Sequence, residues 1–375
     1  MRKLTAINFI HQFFWAVVVI TLPLYLIEKD INVEEIGLIL SLIPLAMLVL
    51  RTLGAMFSDI IGTRLFFVYQ GIFQMVAAGI YSIASTPLHF GLGKISEGSS
   101  YSLFWAVDRT AIFSTATKKG EAAAKMTSVR MVAGAIGLLF GGYMAYLFSF
   151  EFIYQILIGL GLVTVVLAVV RHNVGAHRRE KLSQTLELGK KHSLFWETSI
   201  AMAFAVASNV LFLNFLIPVF MDLSLNADYV TIGLAMAIYF TGTGIGSYAA
   251  TWLGLVERKL FPYQLLTLPL MVALPYSGGF FIPILFLVGT GTGIIFGMYE
   301  ELIAEITRED TNLSTSIALL HVPVKVFEFS SLAAAGFIFV IFGGEVLFIL
   351  SAVLLLVYLV LADRVLKKME KGAGH

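Results

Sequence analysis

The sequence predicts an all-α integral membrane protein, with twelve transmembrane helices in two pseudo-symmetric six-helix bundles. Three observations carry that prediction. The 375 residues are 58% hydrophobic and only 13% charged, with a mean hydropathy of +0.89. A soluble domain is typically about a quarter charged, so an ordinary soluble enzyme is excluded and the bilayer must act as solvent. Secondly, apolar runs long enough to cross a bilayer, about 20 residues each, recur along the whole chain. Dividing 375 residues by twelve leaves about 31 per helix and loop. Thirdly, the basic residues are segregated between the loops, as the positive-inside rule requires.

The elements follow in order. Arg2 and Lys3 precede the first run, 5–27, which is too long for the apolar stretch of a signal peptide and ends without a small-x-small cleavage site. It reads as an uncleaved span. Spans at 36–57, 65–85, 88–112, 127–148 and 152–170 follow. A polar, basic stretch from Arg171 to His192 separates them from runs at 194–220, 230–253, 260–277, 279–303, 313–342 and 346–362. The ninth run is broken by Pro262, Pro269 and Pro275, which a membrane helix tolerates when neighbours satisfy the freed carbonyls. With both termini on one side, that side's loops and tails hold 19 of the 25 basic residues, and the opposite loops hold only Lys29. Both termini are therefore expected in the cytoplasm of a cell whose inner or plasma membrane holds this multi-pass chain.

An internal repeat divides the chain. "LPLYLIEKDINVEEIGLIL" at 22–40 resembles "IPVFMDLSLNADYVTIGLAM" at 217–236. Pro23 and Pro218 are 195 apart, and Gly37 and Gly233 are 196 apart. The expected organisation is an N-terminal bundle, 1–171, a basic linker, 172–193, and a C-terminal bundle with a short tail, 194–375. Parallel repeats of this kind place a substrate site near the midplane, between the halves.

Over essentially its full length the chain resembles the major facilitator superfamily. That family's loop between helices two and three usually reads G-x-x-x-D-(R/K)-x-G-R-(R/K). Here "AMFSDIIGTR" supplies Asp59, Gly62 and Arg64, with Ala55 in place of the first glycine. "GKISEGSS" in helix four puts Lys94, Glu97 and Gly98 where the family often carries an arginine, then glutamine and glycine. "GAIGLLFGG" in helix five keeps the glycines of the antiporter motif without its proline. The resemblance implies alternating access, with helices one, four, seven and ten lining a central cavity. It also implies a cytoplasmic gate of Asp59, Gly62, Arg64, Asp108 and Arg109, in which Asp59 accepts from Arg64 and from Arg109, and Asp108 faces Arg64.

Ionisable residues inside a bilayer are costly and mark function by default. Lys94 and Glu97 are three apart on one face of helix four, and His321, Lys325 and Glu328 share a face of helix eleven. Two readings stand: a proton-coupling and substrate site, or intrahelical ion pairs that hold helices together. Pro323 removes the donor for the Leu319 carbonyl, so helix eleven is expected to bend beside His321. Asn8, His11, Gln12 and Trp15 of helix one, and Asn209 and Asn214 of helix seven, are further hydrogen-bonding candidates for a solute, or polar glue between helices. Arg51 and Arg130 are expected to snorkel to the cytoplasmic surface. Glu300, Glu301 and Glu305 read as the second half's counterparts of Asp108 and Arg109.

The chain lacks cysteine, a phosphate-binding G-x-x-x-x-G-K-(S/T) loop and an H-E-x-x-H zinc motif. No cofactor, metal or nucleic-acid partner is expected, and the linker suits anionic headgroups. The function read from this sequence is secondary active transport of a small organic solute, with protons as the coupling ion, by a monomer in the lipid bilayer. A polar or anionic solute and an amphiphilic drug both remain open. The rival readings are a non-transporting membrane sensor and a polytopic membrane enzyme.

Overall fold

A computed structural model describes residues 2–115, 119–171, 193–252, 264–307 and 313–372. The first six helices are α1 (Arg2–Glu28), α2 (Val33–Ile61), α3 (Arg64–Ser82), α4 (Pro87–Thr115), α5 (Lys119–Leu147) and α6 (Phe150–Val169). The seventh, α7, runs as Ser193–Val210, a π-helical turn Leu211–Leu216, and Ile217–Leu223. It is followed by α8 (Tyr229–Trp252), α9 (Thr267–Ala273, continued by the 3₁₀ turn Leu274–Tyr276) and α10 (Phe281–Ile306). The last two are α11, in two pieces (Leu313–Leu320 and Val322–Phe342), and α12 (Gly344–Gly372).

Among the described residues, ten helices are long and apolar enough to cross a membrane. The two exceptions have separate causes. Of the expected ninth span, residues 260–263 lie outside the described residues and its prolines leave a short helix. In α4 the cause is chemical. It carries Lys94, Glu97, Asp108 and Arg109 besides Ser96, Ser99, Ser100 and Ser102, so it is polar where a lipid-facing helix would be apolar. Its serines bond inward: Ser96 and Ser100 donate to the α3 carbonyls of Phe73 and Gln70. The outer surface carries exposed Val49, Leu53 and Phe57 on α2 and Val163, Val166 and Val169 on α6. Apolar exposure on that scale is what a lipid-facing wall requires.

Helix packing repeats with an offset of six. Pairs α1–α5, α1–α6, α2–α4, α3–α4 and α3–α6 recur as α7–α11, α7–α12, α8–α10, α9–α10 and α9–α12. The bundles meet through α2–α11 and α5–α8, which the same offset exchanges. The repeat read from the sequence is thus a repeat of contacts. Lys3 Nζ donates to the Val170 carbonyl and Lys368 pairs with Glu197. The start of α1, the end of α6, the start of α7 and the end of α12 therefore share one side, here called the linker face; the other is the far face.

On the far face the bundles touch backbone to backbone. A Cβ on Gly37 of α2 would lie 2.7 Å from the Leu332 carbonyl oxygen and 2.9 Å from the Gly336 nitrogen of α11. A Cβ on Gly142 of α5 would lie 2.8 Å from the Gly233 Cα of α8. Only glycine allows these approaches. Gly37 and Gly233 are the two repeat glycines, so the repeated motif is the far-face closure itself.

Candidate functional site

Towards the linker face, side chains replace backbone at the α2–α11 crossing. Met47, Leu48 and Arg51 of α2 and His321, Val322 and Lys325 of α11 face one another across a narrow gap that is packed shut in this state. Arg51 lies in the field of Arg109, Tyr299, Glu300 and Glu328 and does not snorkel to the surface. Among the described residues it makes no ion pair.

His321 sits there because α11 breaks there. Pro323 cannot donate into the helix, and His321 is the non-helical residue between the two pieces of α11, at φ −90°. Ser199 of α7 donates to the Leu320 carbonyl, which satisfies a group exposed by the break. The Ile317 carbonyl can only accept, so His321 Nδ1 carries a hydrogen and donates to it at 2.7 Å. In the neutral ring, Nε2 then accepts from the Tyr299 hydroxyl at 3.0 Å. One helical turn on, Lys325 pairs with Glu328, three residues along the same helix. Beside this cluster, Arg109 Nη2 meets Glu300 Oε2 at 3.0 Å, an ion pair between the halves.

The second predicted group lies elsewhere, inside the first bundle. Lys94 and Glu97 are almost completely buried and pair at 2.9 Å, and the Tyr81 hydroxyl of α3 donates to the same Glu97 Oε2 at 2.8 Å. His11, fully buried, stacks on Phe104 at 3.7 Å between ring centres. Its Nδ1 faces the side-chain amides of Gln70 at 3.2 Å and Gln74 at 3.5 Å. The predicted face of α1 is therefore divided. Asn8 and His11 turn to α3 and α4, Gln12 is half-buried, and Trp15 packs on Phe240 of α8.

Of the gate residues, Asp108 and Arg109 have partners that the sequence did not suggest. Asp108 accepts from Arg130 Nη1 at 2.9 Å and from Asn8 Nδ2 at 2.8 Å. Arg130 thus turns inward, over the Trp105 ring, and does not reach out to the surface. Arg109 reaches Glu300. Gly62, at φ +83°, ends α2, and Arg64 opens α3 two residues later. Asp59 is in the last turn of α2; its side chain, like that of Glu301, lies outside the described residues. In α7, Asn209 Oδ1 accepts from the Tyr239 hydroxyl at 2.8 Å, and Asn214 lies half-buried in the π turn, a helix distortion frequent at functional sites.

Sequence reading passed over Gln70, Gln74, Tyr81, Tyr101 and Tyr299 as partners. Gln70 and Gln74 carried a usable signal, two amides four apart inside an apolar span. The tyrosines carried none, since an aromatic in a membrane helix reads first as packing.

The family description Major Facilitator Superfamily matches residues 4–312. The chain belongs to the Major Facilitator Superfamily. No curated protein sequence matches significantly. Among solved structures, the fold is shared with the nucleoside transporter NupG, at a TM-score of 0.75 and 12% identity over 97% of this chain and 98% of that one. A mutant form of the same transporter gives 0.76 at the same identity and coverage. A bacterial homolog of the human lysosomal transporter Spinster, in an inward-facing and unoccupied conformation, gives 0.72 and 13% identity over 97% and 96%. Family membership places this multi-pass chain among membrane transporters rather than membrane enzymes. Of its two buried lysine–glutamate pairs, one lies inside a bundle and one at the seam between bundles.

Proposed function

We propose that this protein is a proton-coupled secondary transporter of a small polar or anionic organic solute, working by alternating access between bundles 1–171 and 194–375. The observation that carries the reading is Arg51. It is a half-buried cation at the seam between the halves, opposite His321 and Lys325, and among the described residues no carboxylate pairs with it. An unpaired cation there is expensive unless a solute supplies the negative or polar group. The glycine crossings close the far face, and the Arg109–Glu300 pair ties the halves at the linker face by its side-chain tips. Rocking would exchange these two closures. The distribution of Lys and Arg makes the linker face cytoplasmic. The protein works as a monomer in the inner or plasma membrane, and Asp59, Gly62 and Arg64 complete the gate.

Coupling falls to Glu97 and Glu328. Each is tied to a lysine three residues earlier, and at the seam a solute that draws Lys325 away changes the affinity of Glu328 for a proton. Purified protein should first be screened by thermal shift against nucleosides, sugars, amino acids, organic acids and lipophilic cations at two pH values. A ligand at about 100 times its dissociation constant adds roughly 2.7 kcal/mol of stability. The expected result is a shift by a polar or anionic compound that Arg51→Gln abolishes. A shift by lipophilic cations alone overturns the solute class. In proteoliposomes, gradient-driven uptake retained by both Glu97→Gln and Glu328→Gln, with its pH dependence intact, overturns the coupling assignment.

A further inference from the structure

A row of buried polar side chains runs through the interior of the first bundle. Lys94, Glu97, Tyr101 and Asp108 share one face of α4, spaced three, four and seven residues, which at a rise of 1.5 Å per residue spans about 21 Å. From α1, Asn8 and His11 enter the stretch between Tyr101 and Asp108; from α3 come Gln70, Gln74 and Tyr81. Six of these residues hold a buried side-chain atom with no hydrogen-bond partner among the described residues. They are Asn8 Oδ1, His11 Nε2, Gln70 Oε1, Gln74 Oε1, Glu97 Oε1 and the Tyr101 hydroxyl.

Their chemistry is complementary. His11 Nδ1 accepts from glutamine amides, so in the neutral ring Nε2 carries a hydrogen to donate. The amide and carboxylate oxygens can only accept, and the tyrosine hydroxyl does both. Buried polar atoms in folded proteins are satisfied in the large majority by protein or by ordered water. Six orphans gathered in one bundle, between three helices, need a shared partner that both donates and accepts, and water is that partner.

We propose that these atoms bind a file of internal waters, and that the file is a proton path inside the first bundle, separate from the solute path between the bundles. The path links Asp108, towards the linker face, to Glu97. Glu97 to Tyr101 is about 6 Å along α4 and Tyr101 to Asp108 about 10 Å, and His11 and Asn8 divide the longer gap. A proton entering beside Asp108 passes along the waters and arrives at Glu97 Oε1, the oxygen left free because Lys94 and Tyr81 both bond Oε2. Neutralising Glu97 loosens its hold on Lys94, whose charge is unchanged. The groups facing Glu97 are Lys94 and Tyr101 on its own helix and Tyr81 from α3, with Tyr154 of α6 nearby, bonded to Thr21 of α1. Those facing Asp108 are Asn8 from α1, Arg130 from α5, the neighbouring Arg109, and Arg171 beyond α6. The delivery step rests on the coupling role proposed for Glu97; the waters do not.

The intact protein in lipid nanodiscs can be footprinted with hydroxyl radicals from X-ray pulses, which mark side chains beside bound water even where bulk solvent does not reach. Tyr101 and His11 should be modified readily, whereas Phe14, as buried as His11, and Phe240, as buried as Tyr101, should not. Gln70→Leu with Gln74→Leu should reduce Tyr101 modification about fivefold by removing water ligands. Because the first comparison uses the unaltered chain, it stands even where that variant folds poorly. Tyr101 and His11 as inert as the buried phenylalanines would overturn the proposal, and would leave Glu97 to be reached from the seam between bundles. Modified Tyr101 and His11, in a protein whose Glu97→Gln variant keeps pH-driven uptake, would instead overturn delivery to Glu97.

Discussion

Arg109 and Lys94 each pair with a glutamate at about 3 Å, yet burial gives the two pairs different weights. Lys94 and Glu97 are 2% and 0% exposed, whereas Arg109 and Glu300 are 35% and 61% exposed. Breaking a buried pair strands a charge and costs about 3–5 kcal/mol, while replacing both partners with apolar side chains is often nearly neutral. Lys94→Met should therefore lower the melting temperature sharply, and Lys94→Met with Glu97→Leu should recover much of it. A double-mutant cycle by thermal unfolding in nanodiscs reads the difference, and equal losses in single and double variants would refute it. An exposed pair contributes roughly 0–1 kcal/mol, so Arg109→Gln should leave stability almost unchanged. Its expected effect is on the balance of states: a cysteine introduced at Ala318, beside the seam, should react faster with maleimide, by no more than about fivefold. The sequence displayed the chemical types of these residues but not their partners. Asp108 was expected opposite Arg64 and is bonded to Arg130 and Asn8, because helix rotation and tertiary packing decide which of several nearby cations a carboxylate meets.

Helix α11 shows what could be read at the scale of an element. Pro323 announced the break, since a missing amide hydrogen is a property of one residue. The group that satisfies the break, Ser199, comes from α7, and no local pattern points to it. Ser199→Ala should leave the Leu320 carbonyl without that donor, at about 1–3 kcal/mol, and speed amide hydrogen exchange around His321. Unchanged exchange there would mean that the break is held by Pro323 alone. The glycine crossings were legible in part. The repeat showed Gly37 and Gly233 to be equivalent, while their partners Gly336 and Gly142 emerged only from packing. Over-packing a close contact costs about 1–3 kcal/mol, and here the cost falls on one state, the one with the far face closed. Gly336→Val should therefore expose a cysteine placed at Ile36, buried in this state, to an impermeant maleimide added on the far side. Failure to label would show that the far face closes without that crossing.

For the whole molecule, the decisive feature is that the six-helix offset turns α2–α11 into α5–α8. The two most extensive contacts between the bundles are then one contact used twice, as the rocking proposed above requires. The two ends of this hinge differ in kind. Backbone contact at the far face is short-ranged and all-or-none, whereas the Arg109–Glu300 bond joins long side chains that can part and rejoin. Holding the flexible end shut should therefore stop the cycle without unfolding either bundle. The chain has no cysteine, so cysteines introduced at Arg109 and Glu300 can be joined by a reducible bifunctional thiosulfonate with no side reaction elsewhere in the protein. Uptake of the compound identified by thermal shift should fall to the level of empty liposomes on cross-linking and return on reduction, while the melting temperature stays level or rises. Continued uptake through the cross-linked protein would mean that the solute crosses without the linker face opening, and rocking of the two bundles would have to be abandoned as the mechanism.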